Sequence, residues 1–122
     1  MSNDHLVQGV VDHVSSLMGP RVTMADIEAN IVDEYFFTAM EGASNSSEAY
    51  PSVHRSLELL TFCVLTLRNG FMVTGESACV SPENFDAEVG RKIARDNAIE
   101  KVWPLMGYAL KESLNKGSAS DS

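Results

Sequence analysis

The strongest constraint on the fold is a pair of strand-like runs within residues 60–78, separated by Asn69-Gly70. Both runs are rich in β-branched and apolar residues. Asn-Gly between two such runs is typical of a β-hairpin with a two-residue turn, in which both turn residues take positive φ. This turn predicts that Arg68 lies opposite Phe71 on one face of the hairpin, since side chains alternate along a strand.

Helical patterns precede the hairpin. Apolar residues at three- and four-residue spacing predict a helix over 3–17, and Thr23 with Asp26 predicts the start of a second helix. Residues 35–40 fit either an extension of that helix or a short buried strand, because periodicity cannot decide for so short a run. Residues 41–51 are small and polar, which predicts an exposed loop.

A long helix is predicted after the hairpin. Ser81 is a capping residue, Pro82 suits the first helical position, and Pro104 kinks or breaks the helix further on. Together these elements predict an α+β fold, in which the β-hairpin packs against the N-terminal helices and a long, Pro-kinked C-terminal helix. We expect one domain over 1–116 and a flexible tail over 117–122.

Composition excludes several classes of function. The 122 residues carry 9 Lys and Arg against 17 Asp and Glu, a net charge of −8, which argues against general nucleic-acid binding. No run is long and apolar enough for a membrane span, and the N-terminus does not look like a secretion signal, so we expect a soluble cytoplasmic protein. No spacing of Cys and His fits zinc, and no matched acid and base stands out. We therefore expect binding without catalysis, metal or cofactor.

Cations on the long helix are the first candidate site. On a helical wheel Asn84, Arg91 and Arg95 share one narrow stripe. Like charges four residues apart cost about 0.2–0.5 kcal/mol unless something compensates them. The compensating group is either a carboxylate of this acidic protein, such as Glu88, or an anionic ligand, because a guanidinium makes two parallel bonds to phosphate.

The same helix has two apolar sides, which predicts that it packs against two bodies. One is the hairpin, and the other is either a further helix of the chain or a second copy of the protein. One side is a stripe of small residues, which allow close packing: Ala87, Gly90, Ala94 and Ala98. The other side is an arc of larger residues: Phe85, Val89 and Ile93.

The hairpin turn offers a second candidate site. An aromatic ring beside a guanidinium can stack on a nucleobase while the cation meets a phosphate, which would assign Phe71 and Arg68 to a ligand. The alternative is that Phe71 belongs to the core and that Arg68 extends to water.

Long stretches of the chain resemble a known family. The residues that carry the likeness are 20–23, 59–79, 81–86, Gly90-Arg91 and 103–105. They resemble a family of small tailed-phage proteins, named after gene forty-nine of one phage and gene sixty-six of another. This resemblance implies a phage protein and names no activity.

The order of elements is also similar to that of phage Thoeris anti-defence proteins, which have a hairpin followed by a helix with arginines four residues apart. Such proteins are oligomeric sponges, which bind cyclic ADP-ribose-type immune signals or cyclic dinucleotides without cleaving them. The resemblance implies that Arg91 and Arg95 hold phosphates and that Phe71 stacks on a base.

The leading hypothesis is thus a phage homo-oligomer that sequesters a small phosphorylated cyclic nucleotide in the host cytoplasm. The alternative is a module that binds a host or phage protein through its acidic surface. The candidate ligand-binding residues are Arg91, Arg95, Phe71, Arg68 and Asn84, with no catalytic or metal-binding residue among them.

Overall fold

The structure is a computed structural model and describes residues 19–46 and 54–121, with side chains described up to residue 117. The helix predicted over 3–17 lies outside these residues. Three helices, three strands and two short 3-10 helices follow in chain order: α1 (Met24–Asn30), β1 (Ile31–Thr38), α2 (Ala39–Ser44), a 3-10 helix (Arg55–Leu59), β2 (Leu60–Leu67), β3 (Met72–Ala78), a second 3-10 helix (Pro82–Asn84) and α3 (Ala87–Asp121).

The strands form one antiparallel sheet in the order β1-β2-β3, with α3 packed on one face. This arrangement confirms the predicted α+β fold. The ambiguous run 35–40 divides at Thr38, because β1 ends there and Thr38 becomes the N-cap of α2. Part of the predicted loop is therefore helical. Among the described helices, none is both long and apolar enough to cross a membrane.

Capping side chains begin both short helices. Thr23 accepts a hydrogen bond from the Asp26 N–H, and Asp26 accepts one from the Thr23 N–H, which confirms the predicted start of α1. Thr38 and Glu41 form the same reciprocal pair at α2. Each pair satisfies two backbone donors that the first helical turn would leave without partners.

The register of the hairpin differs by one residue from the prediction. Thr66 pairs with Met72, and the Leu67 N–H donates to the Phe71 carbonyl over 2.8 Å. The loop therefore has three residues, and only Gly70 in it has positive φ, at 89°. This is the geometry of a turn followed by a glycine bulge. Arg68 and Phe71 are thus not the opposed pair that a two-residue turn would have made.

The core lies between the sheet and α3. Ile27 of α1 joins apolar residues from the central strand, from β3 and from the helix: Cys63, Leu65, Leu67, Val73, Ala94, Ala98, Ile99 and Val102. Burial raises the pKa of the Cys63 thiol to about 11, so this side chain acts as a small, uncharged core residue.

The closest approach of α3 to the sheet is at Gly75. A Cβ atom at this position would collide with the Ala94 carbonyl oxygen and the Ala98 nitrogen. Both alanines are fully buried. The stripe of small residues on the helix therefore lies against the protein's own sheet, whereas Val89 and Ile93 on the other arc are 51% and 44% exposed.

The long helix begins later and runs further than predicted. Ser81 and Pro82 begin only the second 3-10 helix, and Asp86 caps α3 by accepting hydrogen bonds from the N–H groups of residues 88 and 89. Pro104 lies inside α3, which continues through it to Asp121 and so into the stretch assigned to a tail. Asn84 is thus outside α3 and does not share a helical stripe with Arg91.

Candidate functional site

The five predicted ligand-binding residues lie in different places in the structure. Arg91, Arg68 and Asn84 line three separate cavities of about 310, 490 and 200 Å³. Arg95 forms ion pairs within the protein, and Phe71 lies next to the hairpin turn with 54% of its surface exposed. The structure therefore does not bring the five residues together in one site.

Arg95 is bound by two carboxylates of its own chain. Its Nη1 and Nη2 donate to the two Glu28 oxygens over 3.0 and 2.8 Å, and its Nε donates to Glu34 Oε2 over 2.7 Å. The side chain of Arg95 is 26% exposed. The hydrogen bonds to Arg95 lower the pKa of Glu28, and the bonds to Glu28, with a smaller contribution from Glu34, raise the pKa of Arg95.

Two elements bring these carboxylates to α3. Glu28 lies on α1, and Glu34 lies on β1 opposite Leu65, on the side of the sheet that faces the helix. The bidentate geometry with Glu28 is the strong form of an Arg–carboxylate pair. Sequence reasoning missed both partners, because they are 67 and 61 residues from Arg95 and no local pattern links them.

Arg91 is different. It is exposed, and within the described residues it forms no ion pair, not even with Glu88. It lies at a cavity between β1, β2 and the first turns of α3, lined also by three phenylalanines, two threonines, a glutamate and an alanine: Phe36, Phe37, Phe85, Thr38, Thr61, Glu41 and Ala87. We call this the Arg91 cavity.

Aromatic side chains reach the Arg91 cavity from two elements. Phe36 pairs with Cys63 and so points to the α3 side of the sheet, and Phe85 lies in the segment just before α3. The Phe37 ring instead packs against Phe62, with their centroids 5.5 Å apart. Phe36 and Phe85 are therefore the rings that this cavity offers to a planar ligand.

Thr61 places a buried hydroxyl at the same cavity. The residue is 3% exposed, and its hydroxyl has no hydrogen-bond partner among the described residues. Gly90 makes room for it, since a Cβ at Gly90 would lie 3.1 Å from Thr61 Oγ1. An unsatisfied buried hydroxyl costs about 1–3 kcal/mol, so a ligand that bonds to it recovers free energy.

The Arg91 cavity combines groups that can contact a ligand. It offers a cation, a buried hydroxyl and two aromatic rings, and its carboxylate, Glu41, already accepts from the Thr38 N–H over 3.1 Å. Within residues 19–46 and 54–121, no group of three or more His, Cys, Asp or Glu side chains is placed to hold a metal ion. A phosphate would bond to the guanidinium, and a planar base would pack against the rings.

Comparison with known proteins identifies one family. The model of the phage protein family described as N4 Gp49/phage Sf6 gene 66 matches residues 22–114, which include every element from α1 to most of α3. No curated protein and no solved structure matches. The likeness to Thoeris anti-defence proteins therefore has no support from these comparisons and stays a prediction.

Proposed function

This chain belongs to the phage N4 Gp49/phage Sf6 gene 66 family, and we propose that it binds a small phosphorylated nucleotide in the Arg91 cavity and holds it without converting it. The observation that carries the proposal is that one cavity contains both a guanidinium without an ion-pair partner and a buried hydroxyl without a hydrogen-bond partner among the described residues. Arg91 would bond to the phosphate, and Thr61 would donate to or accept from the ligand.

Two further features support a nucleotide over a bare anion. Phe36 and Phe85 supply rings on which a base can stack, and the cavity volume of about 310 Å³ exceeds what a phosphate alone would fill. The Thr61 hydroxyl at the wall of this cavity can also complete a hydrogen bond with the ligand that occupies it.

The proposed role of this binding is sequestration. We propose that the ligand is a cyclic ADP-ribose-type or cyclic nucleotide immune signal, and that the phage protein removes it from solution in the host cytoplasm. The likeness of the hairpin and the arginine-bearing helix to anti-defence sponges supports this choice of ligand. Arg95 would then have a structural role, since its donors already bond to Glu28 and Glu34.

Titration calorimetry of the full chain with cyclic ADP-ribose isomers and cyclic dinucleotides tests the proposal. We expect saturable binding by one of these probes and recovery of the intact probe after the protein is denatured. Arg91→Gln should weaken binding about tenfold or more, which is the effect of losing a hydrogen bond to a charged group. Lys92→Gln, one residue along the same helix and outside the cavity, is the matched control and should change affinity less than twofold.

Each other outcome selects a different function. If no nucleotide releases heat, the sequestration proposal fails and the protein-interaction module becomes the leading function. A new nucleotide product in the recovered ligand would instead show an enzyme. Equal affinity of wild type and Arg91→Gln would place the bound ligand elsewhere on the protein.

We also propose that the protein is a homo-oligomer. The exposed arc of α3 with Val89 and Ile93, and the exposed Tyr35 and Met72 on the sheet face away from α3, leave apolar surface uncovered by the described residues. Burying such surface between copies is favourable. Light scattering checks this proposal, and a monomer at micromolar concentration would contradict it.

A further inference from the structure

A second cavity, separate from the Arg91 cavity, also contains arginines without ion-pair partners. Arg21, in the segment before α1, and Arg68, in the hairpin turn, line one cavity of about 490 Å³. Neither forms an ion pair with any described residue. The two cavities have no lining residue in common.

The acidic group that lines this second cavity also belongs to the cap of α1. Asp26 lines it, but its Oδ2 accepts a hydrogen bond from the Thr23 N–H over 2.8 Å in the capping pair of α1. Two like charges that face one hollow repel each other unless an anion lies between them. Its two guanidinium groups outnumber its one carboxylate, so the lining has an excess positive charge in a protein whose net charge is −8.

The position of Arg68 is set by hydrogen bonds to α1. The Arg68 N–H donates to the Asn30 carbonyl over 3.0 Å and to Asn30 Oδ1 over 3.3 Å, which ties the hairpin turn to the end of this helix. An arginine on a fixed backbone loses less conformational entropy when it binds than one on a free loop.

Much of the remaining lining of the cavity is apolar. It consists of side chains from α3 and from the segment before α1: Met106, Ala109, Leu110 and Val22. A simple inorganic anion would leave this wall exposed to water, and a neutral apolar molecule would leave the two guanidinium groups without a partner. The positive charge and the apolar surface of the cavity together therefore favour a ligand that has both a negative charge and an apolar part.

We propose that this cavity binds an amphipathic anion, a carboxylate carried on an aliphatic chain, with Arg21 and Arg68 on the carboxylate and the chain along the wall of α3. This site is independent of nucleotide binding at Arg91. It also gives Arg68, which was predicted to work beside Phe71, a different ligand and a different arginine partner.

Calorimetry with decanoate, below its micelle concentration, tests this proposal on the full chain. We expect saturable binding of one decanoate, with decanol and inorganic phosphate each at least about tenfold weaker, because each lacks one of the two features. Arg21→Gln and Arg68→Gln should each weaken decanoate binding about tenfold or more. Arg55→Gln, an exposed arginine outside this cavity, is the matched control and should leave it unchanged.

The result that overturns the proposal is equal decanoate binding by wild type, Arg21→Gln and Arg68→Gln, or binding of decanol as tight as that of decanoate. Circular dichroism melting of each variant distinguishes a local loss of binding from unfolding. Leu110→Asn changes the apolar lining of the cavity and should weaken the binding of decanoate but not that of phosphate. Decanoate binding by a wild-type protein that binds none of the nucleotides would uphold this site and refute the proposed function, whereas decanoate binding that survives Arg91→Gln while nucleotide binding is lost would uphold both.

Discussion

Two neighbouring turns of one helix place the same residue type in opposite surroundings. Around Arg95, other elements of the protein cover α3: Glu28 and Glu34 bond to the guanidinium, and the adjacent Ala94 packs on Gly75. We call this the closed turn. One turn earlier, in what we call the open turn, Arg91 lies at a cavity and has no ion-pair partner among the described residues. The availability of a cation for a ligand thus depends on which elements the fold brings near it.

The difference has a simple structural origin. The closed turn lies where α1 and β1 both present carboxylates toward the helix. The open turn lies at a cavity lined by Thr61 and Thr38, both uncharged, and the carboxylate in that lining, Glu41, accepts a hydrogen bond from the Thr38 N–H. The sheet supplies polar groups to both turns, but it supplies charge to only one.

Gly75→Ala should have the largest effect on the stability of the protein, because it disrupts the close contact between the sheet and the closed turn of α3. The new Cβ would meet backbone atoms of Ala94 and Ala98, which cannot move unless the helix shifts. We expect a loss of at least about 3 kcal/mol in the free energy of unfolding, measured by urea denaturation. Gly107→Ala is the control: nothing lies within 4 Å of its Cβ, and it should stabilise α3 by about 0.5–1 kcal/mol.

Arg95→Met should have the next largest effect. The change keeps the apolar part of the side chain and leaves Glu28 and Glu34 without their shared cation. Because all three side chains are partly exposed, we expect a loss of only about 1–2 kcal/mol. Lys92→Met breaks the exposed pair with Asp96 on the same helix and should cost less than about 0.5 kcal/mol. Equal losses for the two variants would contradict the special role given to Arg95.

Acid should weaken the closed turn by a smaller amount. The folded pKa of Glu28 is lowered by its hydrogen bonds to Arg95, so this group stabilises the fold above its unfolded pKa of about 4.3. That contribution is lost as the pH falls through the lower folded pKa. We expect the difference in unfolding free energy between wild type and Arg95→Met to shrink from pH 7 to pH 3. A difference that stays constant over this range would show that the Glu28 charge is not involved.

Thr61→Val should have the smallest effect on stability, and it should stabilise the protein rather than destabilise it. The substitution replaces an unpartnered buried hydroxyl with a methyl group of similar size, so the ligand-free protein should gain about 1 kcal/mol. Thr66→Val, on the outer face of the same strand, is the control and should change stability by less than about 0.5 kcal/mol. A loss of stability in Thr61→Val would show that the hydroxyl has a structural role and would weaken the case for the Arg91 cavity.

Local features of the fold could be predicted because neighbouring residues cause them. Thr23 caps α1 through a residue three positions away, and the stripe of small residues on α3 follows from their spacing, whereas only the structure shows that this stripe faces the sheet. The hairpin was also predictable, but its register was not. The Asn-Gly pair is compatible with two turn types, and a change of one residue in the loop moves every side chain of the facing strand to the other face.

The candidate site was predicted only in part. Arg91 was identified from charge repulsion with Arg95, and the structure places it at a cavity, without an ion-pair partner in the part of the chain that it describes. Thr61 was missed because a threonine in a strand gives no signal until its burial and its missing partner are known. Arg68 was grouped with Phe71 by their positions at the turn, whereas the fold places it at the same cavity as Arg21, 47 positions earlier in the chain.

The sequence by itself determined the two hairpin strands, the cap of α1, the acidic charge and the stripe of small residues, because these depend on composition or on residues within one or two turns of each other. Only the tertiary structure decided which arginine is neutralised, since Glu28 and Glu34 reach Arg95 across more than 60 residues of chain. Such pairings depend on the register of the sheet and on the approach of α3 at Gly75. The physical reason is that a charge interacts through space, and the fold sets those distances.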